Sequence, residues 1–242
     1  MSGRPPRATG AALDRTGAGE GASSPARGED AAGPPVLSAA GTRLNRRGLR
    51  TRATLLEQAV RCLVDGGPAA ASASAVVRRA GVTWGTVQHQ FGDVDGLWAA
   101  VLDGLAAEVG LDHLPVPGQA DLAERVEAVV QQLWTAMQLP AAIAVHHLRS
   151  ALPRTRRELQ ADYPRTTAAL AEWDAQWNRW CERALDGLGL AAERTAPVRL
   201  LLPAAVRGLW LDQELAISGR DEADPALARL ALCAAVATHL AR

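Results

Sequence analysis

Residues 72–91 read SASAVVRRAGVTWGTVQHQF, and this stretch decides the fold. Ser72 or Ser74 offers a hydroxyl that accepts a hydrogen bond from an unpaired amide in the first turn of a helix. Val76 and Val77, with the small Ala73 and Ala80, give that helix an apolar side. Gly81 falls where the helix should end, because the residue after the last turn usually takes a left-handed backbone that glycine adopts at least cost. Thr83 is a second capping residue, and 84–91 predict a second short helix. Two short helices joined by a tight glycine-containing turn make a helix-turn-helix, whose second helix enters the DNA major groove.

A glycine turn between helices also occurs in bundles that never meet DNA. The frame Ala80-Gly81-Val82-Thr83-Trp84-Gly85-Thr86-Val87-Gln88-His89-Gln90-Phe91 narrows the choice. It resembles the TetR family of one-component transcriptional regulators. That family has Ala-Gly-Val, a capping Ser or Thr, a free position, Gly-Thr, an aliphatic residue, then Tyr-His-x-Phe. The following Gly92-Asp93-Val94-Asp95-Gly96-Leu97 resembles the start of its fourth helix, and the likeness spans 47–102.

The resemblance implies an all-α protein. An N-terminal three-helix helix-turn-helix DNA-binding domain is expected over 43–92, a linking helix over 93–110, and a C-terminal helical ligand-binding and dimerisation bundle over 111–242. Carried over by position, Thr83, Trp84, Gly85, Thr86, Gln88 and His89 are the recognition-helix contacts. Thr83 and Thr86 suit phosphate oxygens, Gln88 an adenine edge, and Gly85 a close backbone approach. Arg52, Ser72 and Ser74 would clamp the sugar-phosphate backbone. Two positions depart from the family: Gln88 stands where tyrosine usually precedes the histidine, and Val94 where lysine usually opens the fourth helix. Both usual residues hold phosphates, so the grip must move elsewhere. Arg43, Arg46, Arg47, Arg50 and Arg52 arrive together just ahead of the motif. Arg47 and Arg50 are assigned to phosphates, which supply sequence-independent affinity.

The whole-chain balance permits this. Formal net charge is +0, but DNA contact needs only a local patch. Between residues 43 and 102 arginines outnumber carboxylates by eight to four. All 26 basic residues are arginine, which removes phosphate-loop lysines, Schiff-base lysines and kinase-type strand lysines from consideration. A chain of 242 residues has ample length for a core. Residues 1–42, rich in Gly, Ala, Pro, Ser and Arg without an aromatic, predict a disordered N-terminal extension, since such a segment buries too little to offset its entropy.

Helices are expected over 49–65, 93–110, 121–139, from 140 to about 152, over 164–188, 195–217 and 224–241, with no strands. In the first, Leu56, Ala59, Val60 and Leu63 recur at one-face spacing. Pro203 should kink or delay its helix. Cys62, Cys181 and Cys233 lie far apart without a CxxC pair and read as small buried hydrophobes in a reduced compartment. No apolar run reaches membrane-span length and the N-terminus lacks a signal-peptide core, so a cytoplasmic protein with no membrane partner is expected.

No nucleophile elbow, HExxH or Cys–His signature occurs, so no enzyme, no cofactor and no metal is expected. His146 and His147 are adjacent and diverge on a helix instead of converging as metal ligands do. Trp173, Trp177 and Trp180 share one helical face, and Trp134 on an earlier helix can meet them. Periodicity alone makes these ordinary core. The family's C-terminal helices, however, usually enclose an apolar effector cavity, so Trp134, Met137, His147, Trp173, Trp177 and Trp180 are assigned as its lining. A tryptophan face also attracts cations. The expectation is a homodimeric repressor, released from a palindromic double-stranded operator by a small apolar or aromatic effector, a cationic one included. Its dimer would form through the last two helices. The alternative is a helical small-molecule-binding or sequestering protein that has lost operator binding.

Overall fold

The computed structural model describes residues 35–215 and 223–242, all-α apart from one isolated antiparallel bridge between Leu37 and Arg43. Most of the expected disordered extension, 1–34, lies outside the described residues. Residues 36–42, expected to belong to the extension, are described and pack on the head. Ser38 and Leu44 are buried, and the Ala39 amide donates to the His89 carbonyl at 3.0 Å. Local backbone hydrogen bonds, Ser38 to Thr42 and Leu44 to Val36, replace the core that composition says the segment lacks.

Helix α1, Arg46–Gly66, starts earlier than its apolar pattern because Asn45 caps it, accepting from the Gly48 amide at 2.8 Å. Its buried face is Leu55, Ala59, Cys62 and Leu63, while Leu56 and Val60 are half-buried. The stripe is thus rotated by about one residue from the one expected. Helix α2, Ala73–Ala80, is capped by Ser72 and ends at Gly81, whose φ of 64° and ψ of 32° lie in the left-handed region. Helix α3, Trp84–Phe91, follows, with Val87 and Phe91 buried against α1. Helix α4, Val94–Val109, begins on an Asp93 cap.

The C-terminal bundle comprises α5, Leu122–Met137; α6, Pro140–Ala151; α7, Arg156–Asp162; α8, Pro164–Leu185; α9, Ala192–Leu215; and α10, Ala223–Ala241. The short α7 was not expected. Residues 216–217 of the helix expected over 195–217 lie outside the described residues. Pro140 and Pro164 open their helices, where a missing amide costs nothing. Pro197 and Pro203 both lie inside α9. Buried Arg125 donates to the carbonyls of Gln119, Ala184 and Asp186, satisfying the C-terminal end of α8.

Two joints fix the helix-turn-helix to this bundle. His147 Nδ1 lies 2.7 Å from the Leu63 carbonyl, tying α6 to the last turn of α1. The first turn of α8 grips the first turn of α4, where Arg165 and Thr166 hold Asp95. Gly96 beside it admits no side chain: a Cβ there would stand 2.1 Å from the Phe91 carbonyl oxygen.

Candidate DNA-reading face and effector cavity

Helix α3 presents Thr83, Trp84, Gly85, Gln88 and His89 to solvent, while Thr86 is half-buried. Trp84 is 39% exposed, unusual for an indole. Thr83 makes no side-chain cap; its hydroxyl meets that of Thr86 at 3.2 Å. Ser72 is committed to its cap, with Ser74 exposed 3.3 Å from it. Both ends of the face are braced. Gln90 Nε2 donates to the Gly48 carbonyl, which sets the amino-terminal turn of α1 against the end of α3. Arg43, Arg46, Arg47 and Arg50 on that side are exposed and face solvent.

Arg52 sits apart from these four. Its guanidinium donates to the Gln90 carbonyl at 2.8 Å and lies 4.4 Å over the Phe91 ring. Burial lowers its pKa, with Asp103 acting in the opposite sense. This half-buried arginine packs across the end of the recognition helix and braces it.

A cavity of about 220 Å³ opens between α5, α6, α8 and α9. Of the six residues assigned to an effector, it takes Met137, Trp173 and Trp177. The other three are placed elsewhere. Trp134 lies under the Arg229 guanidinium at 4.1 Å, against α10. Trp180 is fully buried and donates from Nε1 to the Pro115 carbonyl. His147 turns to Leu63, and its neighbour His146 lines the cavity, edge-on to Trp210. Adjacent helical positions point about 100° apart, so a one-residue choice selects a different surface.

The lining is also less apolar than expected. Arg149, Asp174, Asn178 and Arg207 join it. Arg149 closes on both oxygens of Asp174, at 2.8 and 3.1 Å. Burial, then His147, Arg207 and Arg149, push the His146 pKa below its ordinary value and favour the neutral ring. Sequence reasoning missed Arg207 because α9 reads as apolar around it. Among the described residues no group of three or more His, Cys, Asp or Glu side chains comes together to hold a metal. No single helix there is long and apolar enough to cross a membrane.

The head, with its exposed short second helix, defines a helix-turn-helix DNA-binding module carried on an all-helical bundle. Residues 55–101 match the family described as "Bacterial regulatory proteins, tetR family", a span that holds α2, α3 and parts of α1 and α4. No curated protein matches the chain. Among solved structures, Salmonella enterica GusR is similar in fold over 82% of this chain and 99% of its own, at 17% identity and a TM-score of 0.54. A gamma-butyrolactone receptor described as ArpA-like aligns over 79% of this chain and 98% of its own, at 20% identity and a TM-score of 0.43.

Proposed function

We propose that this protein is a homodimeric, ligand-responsive transcriptional repressor that leaves a palindromic operator when a small molecule enters the α5–α6–α8–α9 cavity. One observation carries the reading: α8 reaches both ends of the path. Trp173 and Trp177 of α8 line the cavity, and Arg165 and Thr166 of the same helix hold Asp95 at the base of the DNA-binding head. A ligand that shifts α8 therefore moves the head. It releases DNA only by binding the released arrangement better, typically by ~1–3 kcal/mol.

The α3 face supplies contacts, with Thr83 and Thr86 on phosphates, Gln88 and His89 on base edges, and the exposed Trp84 on a thymine methyl or sugar. Arg47 and Arg50 add affinity independent of sequence. For the dimer, exposed Leu200 and Leu201 of α9 and Leu227 and Leu230 of α10 form an apolar face beyond what scattered surface leucines require. Val206 and Trp210 of α9, 1% and 5% exposed, belong to the interior and not to that face.

Transcription from a promoter overlapping the bound sequence tests the repressor reading. Added protein should lower transcript, and Trp177→Ala should repress normally yet fail to respond to an inducer of the wild type. Raised transcript, or a Trp177→Ala variant released like wild type, contradicts it. Light scattering should find a dimer at micromolar concentration.

A further inference from the structure

We propose that the cavity selects a small organic acid, its anionic group held by Arg207 and the Trp177 indole N–H, and its single-ring or short alicyclic body against Trp173, Leu133 and Val145. This rests on the reading of the cavity as the effector site and names the class of effector.

The argument is one of unmet valence. Trp177 is 5% exposed and its Nε1 has no hydrogen-bond partner. A buried N–H left unpaired is costly, so the cavity holds a donor waiting for an acceptor. Arg207 lines the same cavity and makes no hydrogen bond to any described residue. Asp174, whose two oxygens accept from Arg149, attracts Arg207 through space, but burial and Arg149 outweigh that attraction. The lining thus holds two guanidiniums against one carboxylate, with His146 kept on its neutral side. Burial and the nearby Arg149 lower the Arg207 pKa, which an incoming anion would reverse. A cationic ligand, which tryptophan faces alone would welcome, is disfavoured by that excess.

Size limits the rest. At about 220 Å³ the space falls below the ~300–1,000 Å³ of sites for drug-sized molecules. One anionic group fits the two donors, and the aromatic and aliphatic walls suit a body of one ring.

The test uses matched pairs: benzoate, phenylacetate and 3-phenylpropanoate, each against its primary amide, followed by tryptophan fluorescence and thermal melting of the full-length protein. At least one acid should quench saturably and raise Tm, its amide binding roughly tenfold or more weakly, as loss of a charge-assisted hydrogen bond implies. Arg207→Met should erase the preference by weakening the acid and not the amide. Arg207→Lys should restore part of it. Trp177→Phe, which keeps the ring and loses the N–H, should weaken the acid several-fold. If the amides bind as tightly as the acids, if Arg207→Met binds the acid unchanged, or if no acid binds, the proposal is overturned. DNA release is scored separately. An acid that binds through Arg207 but leaves DNA affinity unchanged upholds this site and contradicts the effector reading. Neutral ligands that fill the cavity and release DNA do the reverse.

Discussion

Asp95 Oδ2 accepts two hydrogen bonds from Arg165, one from its backbone amide at 3.0 Å and one from Nε at 3.1 Å. The other carboxylate oxygen accepts from the Thr166 amide and hydroxyl at 2.8 and 2.7 Å. Four donors on one buried carboxylate weld the first turn of α4 to the first turn of α8. The same Arg165 reaches the Phe91 carbonyl at the end of α3 and the Asp93 carboxylate. The junction is therefore shared by the recognition helix, the linking helix and the helix that carries Trp173 and Trp177.

Asp95→Ala should cost about 3 kcal/mol of unfolding free energy, because it strands the buried Thr166 amide and hydroxyl. Asp95→Asn keeps one acceptor oxygen and should cost less. Urea denaturation measures both. A loss below about 0.5 kcal/mol for Asp95→Ala would mean the weld is loose. Where Asp95→Asn still folds, effector response should fall more than DNA affinity does.

The arginines ahead of the motif should separate into two kinds. Arg47→Ala with Arg50→Ala should weaken all DNA sequences alike and lower the slope of log affinity against log salt by about one to two. Arg52→Met should instead lower stability by ~1–3 kcal/mol, since it strands the Gln90 carbonyl and uncovers Phe91. Its salt slope should stay unchanged. Fluorescence anisotropy across a salt series, beside urea melts, distinguishes them; equal salt effects from Arg52 and Arg50 would contradict this division.

These residues also show where a sequence can be read and where it cannot. Ser72, Gly81 and the α2–α3 turn were legible because capping is local, decided within four residues. The frame 80–91 placed the recognition helix for the same reason. Helix phase was less legible. Leu55 and Cys62 alternate with apolar Leu56 and Val60, so two adjacent stripes compete and only packing against α2, α4 and α6 decides between them. His146 and His147 differ by one such rotation. Arg52 looked like part of a phosphate cluster because its partner lies 38 residues away. Arg207 likewise joins Arg149 and Trp177 only through tertiary contact. The tryptophan face at 173, 177 and 180 split because Trp180 turns to Pro115.

Acid should destabilise the protein in two stages. His146 has its pKa lowered from 6.5 by burial and neighbouring positive groups, so the unfolded chain takes up that proton more readily than the folded one. Stability from this group is present above pH 6.5 and declines as pH falls below it. Asp95 behaves alike at lower pH: burial works to raise its pKa, but hydrogen bonds from Thr166 and Arg165 outweigh it and lower it from 3.8. Its contribution is lost as pH falls through the lowered value. Urea midpoints at about pH 7.5 and about pH 5.5 should drop more for wild type than for His146→Gln. Equal drops would assign the loss to other groups.

The central claim is that α3 reads DNA as part of a symmetric dimer, and selection of bound sequences from a random duplex pool by the purified protein tests it most directly. The account predicts enrichment of an inverted repeat with half-site centres about one helical turn, ~10 base pairs, apart or a multiple of it, and loss of that enrichment in Gln88→Ala. No enrichment at low salt, or an enriched motif that survives Gln88→Ala and Trp84→Ala together, would contradict it.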